Sequence, residues 1–236
     1  MVRYLWATAS HKGRVRDNNE DTVFPDSSGE SDGGAVLIVA DGMGGHVAGE
    51  VASRLAVNTA ASTEKDAVAR VKAANKAIRE EVAREPGLEG MGTTMTLASI
   101  EEGGSARLAH VGDSRAYLLR SGELRQLTED HTVAAEYVAQ GQISPDDAAA
   151  HPQRHMLTRT LGLTPGIQVD EVSIDLESGD RLLLCSDGLT EMLPDDRIAE
   201  ILGEGSPDEA VWELVESANE EGGVDNITVI VVEVVE

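Results

Sequence analysis

Ala35-Val36-Leu37-Ile38-Val39-Ala40 runs without a polar residue into Asp41-Gly42-Met43-Gly44-Gly45-His46. A short, unbroken apolar run closed by glycines reads as a strand buried on both faces. The glycines permit a tight turn with close backbone approach. Asp41 is then a carboxylate fixed at the end of a rigid strand, beside exposed carbonyls. That setting suits a hard cation, which takes oxygen ligands. Taken alone, Asp-Gly after a strand is an ordinary turn. It gains weight because three further aspartates are placed alike.

Working outward, Val51 and Leu55 lie one turn apart, so residues 47–61 read as a helix. Residues 65–84 are a clearer one, with Val68, Val71, Asn75, Ile78 and Val82 at spacings of three and four. Pro86-Gly87 ends it. Upstream, residues 2–10 form a first strand, and Asp26 to Gly34 is a turn. Downstream, Thr93–Ile100 and Ser105–Val111 make a hairpin about Gly103-Gly104. Arg115–Arg120, Ile167–Leu176, Arg181–Ser186 and Ile227–Val235 read as strands. Val133–Ala139, Asp195–Leu202 and Pro207–Asn219 read as helices, and Ser144-Pro145 as a helix start. Residues 128–162 are the poorest in strand pattern and read as an excursion over the surface. Strands and helices in this order fit an α+β sandwich. With no internal repeat and no linker, 1–236 is expected to be one domain.

The 236 residues carry a net charge of −24, which argues against nucleic acid or an anionic membrane as partner. Aromatics are 3%, so the core must be aliphatic. No apolar run approaches a membrane span, and the first residues lack a signal-peptide core, so a cytoplasmic location is expected. Cys185, the one cysteine, sits in Leu182-Leu183-Leu184-Cys185 and reads as a buried core thiol.

Asp41, Asp113 and Asp187 each follow a strand, and Asp225 precedes one. Antiparallel neighbours bring strand ends beside strand starts, so all four can meet at one sheet edge. Such a set points to Mg2+ or Mn2+, while zinc is disfavoured for want of paired Cys/His spacing. In the loop Arg16-Asp17-Asn18-Asn19-Glu20-Asp21, Arg16 offers a fork for phosphate and Glu20 and Asp21 offer carboxylates for metal-bound water. A charged surface loop is the plain alternative.

At this point the chain resembles a known family, the metal-dependent Ser/Thr protein phosphatases of type 2C in their compact bacterial form. The motifs occur in order. Arg16 to Asp21 and Asp41 to His46 come first, then Gly92-Thr93-Thr94, Gly112-Asp113-Ser114-Arg115 and Thr128-Glu129-Asp130-His131. Arg159-Thr160-Leu161-Gly162, Ser186-Asp187-Gly188-Leu189 and Asp225-Asn226-Ile227-Thr228 complete the series.

The resemblance implies a four-layer αββα sandwich of two antiparallel sheets flanked by helix pairs, with two Mn2+ or Mg2+ ions at one end. Asp41 would bridge both ions, the Gly42 carbonyl would bind one, and Asp187 and Asp225 the other. Asp113 with Asp187 would hold a weaker third ion. Glu20 and Asp21 would orient metal-bound waters, Arg16 would grip the substrate phosphate, and residues near 132–160 would form a flap. Met43 holds the place of a general-acid histidine in the animal enzymes, which leaves His46 as the nearest candidate acid, with metal-bound water as the other source.

The implied reaction is hydrolysis of phosphoserine and phosphothreonine monoesters by a metal-bridging hydroxide, opposing Ser/Thr kinases. Two metals about 3.5–4 Å apart lower the pKa of a shared water toward neutrality. Their four positive charges are cancelled by Asp41, Asp187, Asp225 and the hydroxide, so Arg16 supplies the charge that attracts a phosphate dianion. The expected partners are phosphorylated proteins, with the chain a monomer. Three alternatives remain at this point: a phosphatase restricted to one regulatory protein, a pseudophosphatase acting as a protein-binding module, and a calcium-binding module.

Overall fold

The computed structural model describes residues 2–44 and 47–236. Strands β1 (Arg3–His11), β2 (Asp21–Phe24), β3 (Gly29–Ser31) and β4 (Gly34–Met43) come first, followed by helices α1 (Val47–Ser62) and α2 (Ala67–Arg84). Then come β5 (Gly92–Thr93), β6 (Met95–Glu101), β7 (Ser105–Val111), β8 (Arg115–Arg120) and β9 (Glu123–Gln126). Short helices α3 (Val133–Ala139) and α4 (Pro145–Ala149) precede β10 (Asp170–Asp175) and β11 (Arg181–Cys185). The chain closes with α5 (Asp187–Thr190), α6 (Asp195–Leu202), α7 (Pro207–Glu220) and β12 (Ile227–Val235).

One sheet has the order β3-β1-β12-β11-β8-β9, and the other β10-β7-β6-β4-β2 with β5 beside β4. The neighbours pair antiparallel throughout. Strand alternation sets the layers. In β11 every residue is buried. Leu182 and Leu184 join Leu37, Val39, Ile230 and Val232 between the sheets. Leu183 and Cys185 face the other way, against Val211 and Leu214 of α7. In β4, Ile38 and Ala40 pack under Ala56 of α1 and Val71 and Ile78 of α2. The result is the expected αββα sandwich, with its central core aliphatic. Truncating one of these central leucines to alanine would cost about 2–5 kcal/mol.

The helices start where the sequence signals them. Asp66 caps α2 by accepting from the Ala69 N–H at 2.8 Å. Ser206 and Glu209 form a reciprocal cap on α7, with Pro207 at its first position.

Three expectations need correction, and one strand was not expected. The Ser/Gly/Asp-rich stretch 26–34 holds strand β3, which pairs with β1 through Leu5 and Glu30. A strand β9 at Glu123–Gln126 extends the first sheet beyond β8. The strand expected over Thr93–Ile100 is broken at Thr94, whose backbone and hydroxyl both turn to Asp41. Of Ile167–Leu176, only Asp170–Asp175 pairs. Among the described residues, no helix is long and apolar enough to cross a membrane.

Candidate metal centre

At one end of the sandwich the inward-facing rows change from aliphatic to polar. In β4 the row Leu37, Val39 continues to Asp41, which lies within the strand, since β4 runs on to Met43 by pairing with β2 and β5. Asp21 is the register partner of Asp41 on β2. The row Leu182, Leu184 continues past β11 to Ser186, and the row Ile230 ends in Thr228. A period of two puts all of these on one side of their sheets. The Ser186 hydroxyl donates to Asp21 Oδ2 at 2.8 Å and accepts from the Thr228 N–H at 3.0 Å.

Asp41 is fixed by its backbone. Its N–H donates to Thr94 Oγ1 at 2.9 Å, and its carbonyl accepts from the Thr94 N–H at 2.9 Å and the Thr93 hydroxyl at 2.7 Å. The Thr94 hydroxyl also meets that of Ser114 at 2.7 Å, which ties Asp41 to the turn carrying Asp113. Gly42 must lack a side chain, because a Cβ there would strike the Gly49 and Glu20 carbonyls. Asp187 opens α5, with Ser186 at its N-cap. Asp225 stands before β12, and its neighbour Asn226 clamps the β1–β2 loop. Asn226 Oδ1 accepts from the Glu20 N–H at 2.8 Å, while Nδ2 donates to the Lys12 and Asn18 carbonyls at 3.0 and 2.9 Å. That loop carries Arg16, whose Nη2 donates to Asp225 Oδ2 at 2.5 Å.

The carboxylates repel one another strongly. Burial first, then the charges of Asp21, Asp187, Asp113 and Asp225, hold Asp41 well above the usual carboxylate range. Asp187 is raised likewise by burial and then by Asp113, Glu191, Asp225 and Asp21. Burial pushes Asp113 up to about 7 and Asp21 up to about 6. Among the described residues, Asp21 Oδ1 and Asp187 Oδ1 are buried with no hydrogen-bond partner. Orphaned carboxylate oxygens in a nest of like charge are expensive without a compensating cation. The donor set is all oxygen, so it fits Mg2+ or Mn2+.

The structure therefore brings Arg16, Glu20, Asp41, Gly42, Asp113, Asp187 and Asp225 onto one cleft of about 1270 Å³. Asp21 lies beneath it, held by Ser186. His46 lies outside the described residues. Sequence reading missed several residues. Glu191 ends α5 and pairs with His155 Nδ1 at 2.6 Å, and ligand atoms of His155, Asp187 and Glu191 lie within 4.8 Å of one another. The four-residue step from Asp187 to Glu191 was a signal available in the sequence. His131 accepts from the Gly112 N–H at 3.1 Å through Nδ1, and its carbonyl accepts from the Thr158 N–H at 2.8 Å. It thus joins the Asp113 turn to the end of the 132–160 segment. Thr94, Ser186 and Asn226 stand in the quoted motifs, but nothing local showed which distant groups they hold.

Known proteins resemble this chain along its length. The protein phosphatase 2C family matches the chain over residues 10–221. The serine/threonine protein phosphatase PstP of Mycobacterium tuberculosis is 43% identical over 247 residues, a match covering 100% of this chain and 46% of that protein. The chain thus spans about half the length of that relative. The serine/threonine phosphatase stp of Listeria welshimeri is 41% identical over 238 residues, covering 94% of this chain and 92% of that one. The solved catalytic domain of PstP, in complex with two manganese ions, matches with a TM-score of 0.88 at 39% identity over 100% of both chains.

Proposed function

Since the chain belongs to the protein phosphatase 2C family, we propose that it is a metal-dependent phosphoprotein phosphatase that hydrolyses phosphoserine and phosphothreonine monoesters. The observation that carries this reading is the convergence of Asp41, Asp113, Asp187 and Asp225, with orphaned buried carboxylate oxygens, beside the exposed guanidinium of Arg16.

In this proposal Asp41, the Gly42 carbonyl, Asp187 and Asp225 would hold two divalent cations, and Asp113 with Asp187 would take a weaker third. Two such cations supply positive charge and a water acidified toward neutrality. Arg16 exchanges its bond to Asp225 for the substrate phosphate and aligns it for in-line attack. Glu20 and Asp21 orient water. Neither is a nucleophile, and Cys185 is none either, because burial pushes its thiol up to about 12 and it lies inside the sheet-helix core. The phosphate therefore leaves without a covalent enzyme intermediate. Residues 132–160 act as a flap, and the whole chain works as one unit. Its substrates are phosphorylated proteins, the products of Ser/Thr kinases, met by a monomer in the cytoplasm.

Hydrolysis of p-nitrophenyl phosphate and of a phosphothreonine peptide, with Mn2+, Mg2+, Ca2+ or EDTA, tests this. Turnover of both with Mn2+ or Mg2+ and none in EDTA is expected. Turnover that survives EDTA, or metal binding without turnover, would contradict it.

A further inference from the structure

Six large hydrophobic side chains are exposed among the described residues, and four of them line the catalytic cleft: Val15 at 66%, Met156 and Leu163 at 52%, and Val224 at 41%. Exposed aliphatic side chains gathered at one place mark a contact surface. Their positions surround the carboxylates. The Arg14 N–H donates to the Gly223 carbonyl at 2.7 Å, so Val15 and Val224 come from adjoining loops beside Asp225. A Cβ placed on Gly92 would lie 3.7 Å from the Leu163 Cγ and 3.6 Å from the Met43 Cγ, so Leu163 stands near Gly92, the strand partner of Met43, which follows Gly42. Met156 follows His155, which is paired with Glu191 of the Asp187 helix. Aliphatic side chains from the β1–β2 loop, the 156–163 segment and the loop before β12 thus line the same cleft as the carboxylates.

We propose that this rim binds the side chains flanking the phosphorylated serine or threonine, and that it selects phosphopeptides in which these are aliphatic. The inference rests on the phosphatase reading and names the substrate class of that same site. Covering half-exposed aliphatic side chains with aliphatic partners removes apolar area from water on both sides. Acidic flanking residues meet a chain of net charge −24 and are repelled. Basic flanking residues are drawn by the same charge, but they find no apolar complement at the rim. Arg16 takes the phosphate and leaves the flanks to the aliphatic groups.

The test compares kcat/KM for phosphothreonine peptides of one length that differ only in leucine, serine, lysine or glutamate on both sides of the phosphothreonine, with Mn2+. The leucine-flanked peptide should exceed the serine-flanked one by about tenfold. The same ratio is then measured for V15S/L163S. A ratio between two substrates does not depend on the fraction of active enzyme, so a partly misfolded variant still gives a reading. The ratio should fall to near one. A wild-type ratio near one, a lysine-flanked peptide as the best substrate, or a ratio unchanged in the variant would each overturn the proposal. Turnover of p-nitrophenyl phosphate in the same preparation separates these failures from failure of the phosphatase reading, which would show as no turnover of any substrate.

Discussion

Arg16 Nη2 sits 2.5 Å from Asp225 Oδ2, so the cation that the β1–β2 loop brings to the cleft is engaged by a carboxylate assigned to metal binding. The pair is accessible, with the arginine side chain 56% exposed, and such pairs exchange partners at little cost. Arg16→Ala should therefore leave Mn2+ affinity unchanged or tighter, because Asp225 loses a competitor. Peptide turnover should drop by about 10²–10³ in kcat/KM, the usual loss for one charge-stabilising donor. Calorimetric Mn2+ titration alongside kinetics checks both. Weaker Mn2+ binding in the variant would make Arg16 a metal-site support instead of a phosphate grip.

The Ser186 hydroxyl bridges Asp21 Oδ2 and the Thr228 N–H inside the polar end of the sandwich. Ser186→Ala leaves both groups buried without that partner. A destabilisation of about 1–3 kcal/mol is expected. Denaturant unfolding of the metal-free protein measures it, and an unchanged midpoint would mean that water replaces the hydroxyl.

Metal-free stability should fall with rising pH above neutrality. Asp113 and Asp21 are pushed up to about 7 and about 6, and Asp41 and Asp187 are raised well above their ordinary value. A carboxyl whose folded pKa exceeds its unfolded one holds an extra proton in the folded state, so its contribution is largest at low pH and fades as pH rises through the folded value. His110 acts in the opposite sense, because burial lowers it to about 4, but only below its unfolded pKa of about 6.5. Between about pH 6.5 and about pH 7.5, below the range where the unfolded Cys185 thiol ionises, the carboxylates carry the trend, and the unfolding free energy in EDTA should drop by on the order of 1 kcal/mol. With saturating Mn2+ the trend should reverse, since protons and metal compete for the same oxygens. Thermal unfolding across that window reads the sign directly, and a rise in EDTA would be the contrary result.

Cys185 lies on the helix-facing side of β11, fully buried. Cys185→Ala should keep turnover within about threefold and cost on the order of 1 kcal/mol of stability from the small cavity. Iodoacetamide should leave the native enzyme active. Loss of activity on alkylation of the folded protein would put the thiol into the reaction.

Much of this molecule was legible because it is local. The run from Ala35 to Ala40, the proline-marked cap at Ser144 and the β-branched run Ile227–Val235 each state their structure within a few residues. The aspartates were legible because each stands two residues from a strand end: Asp41 inside the end of β4, Asp113 and Asp187 past β7 and β11, and Asp225 before β12. What escaped depends on distant partners. Strand β3 has no apolar pattern, and it exists because Tyr4–Trp6 of β1 offer an edge. Thr94 breaks its strand because Asp41, 53 residues away, takes its hydroxyl. Asn226 holds Glu20 across 206 positions, and Ser186 holds Asp21 across 165. No spacing along the chain encodes such contacts.

The most direct measurement counts Mn2+ ions bound per chain by calorimetry, with phosphothreonine-peptide turnover on the same samples, for the wild type and Asp187→Asn. The wild type should bind at least two ions and turn over the peptide, and the variant should lose an ion and nearly all turnover together. A variant that keeps full activity with its metal count reduced, or a wild type that turns over the peptide without binding metal, would contradict the assignment of these carboxylates to a catalytic metal centre.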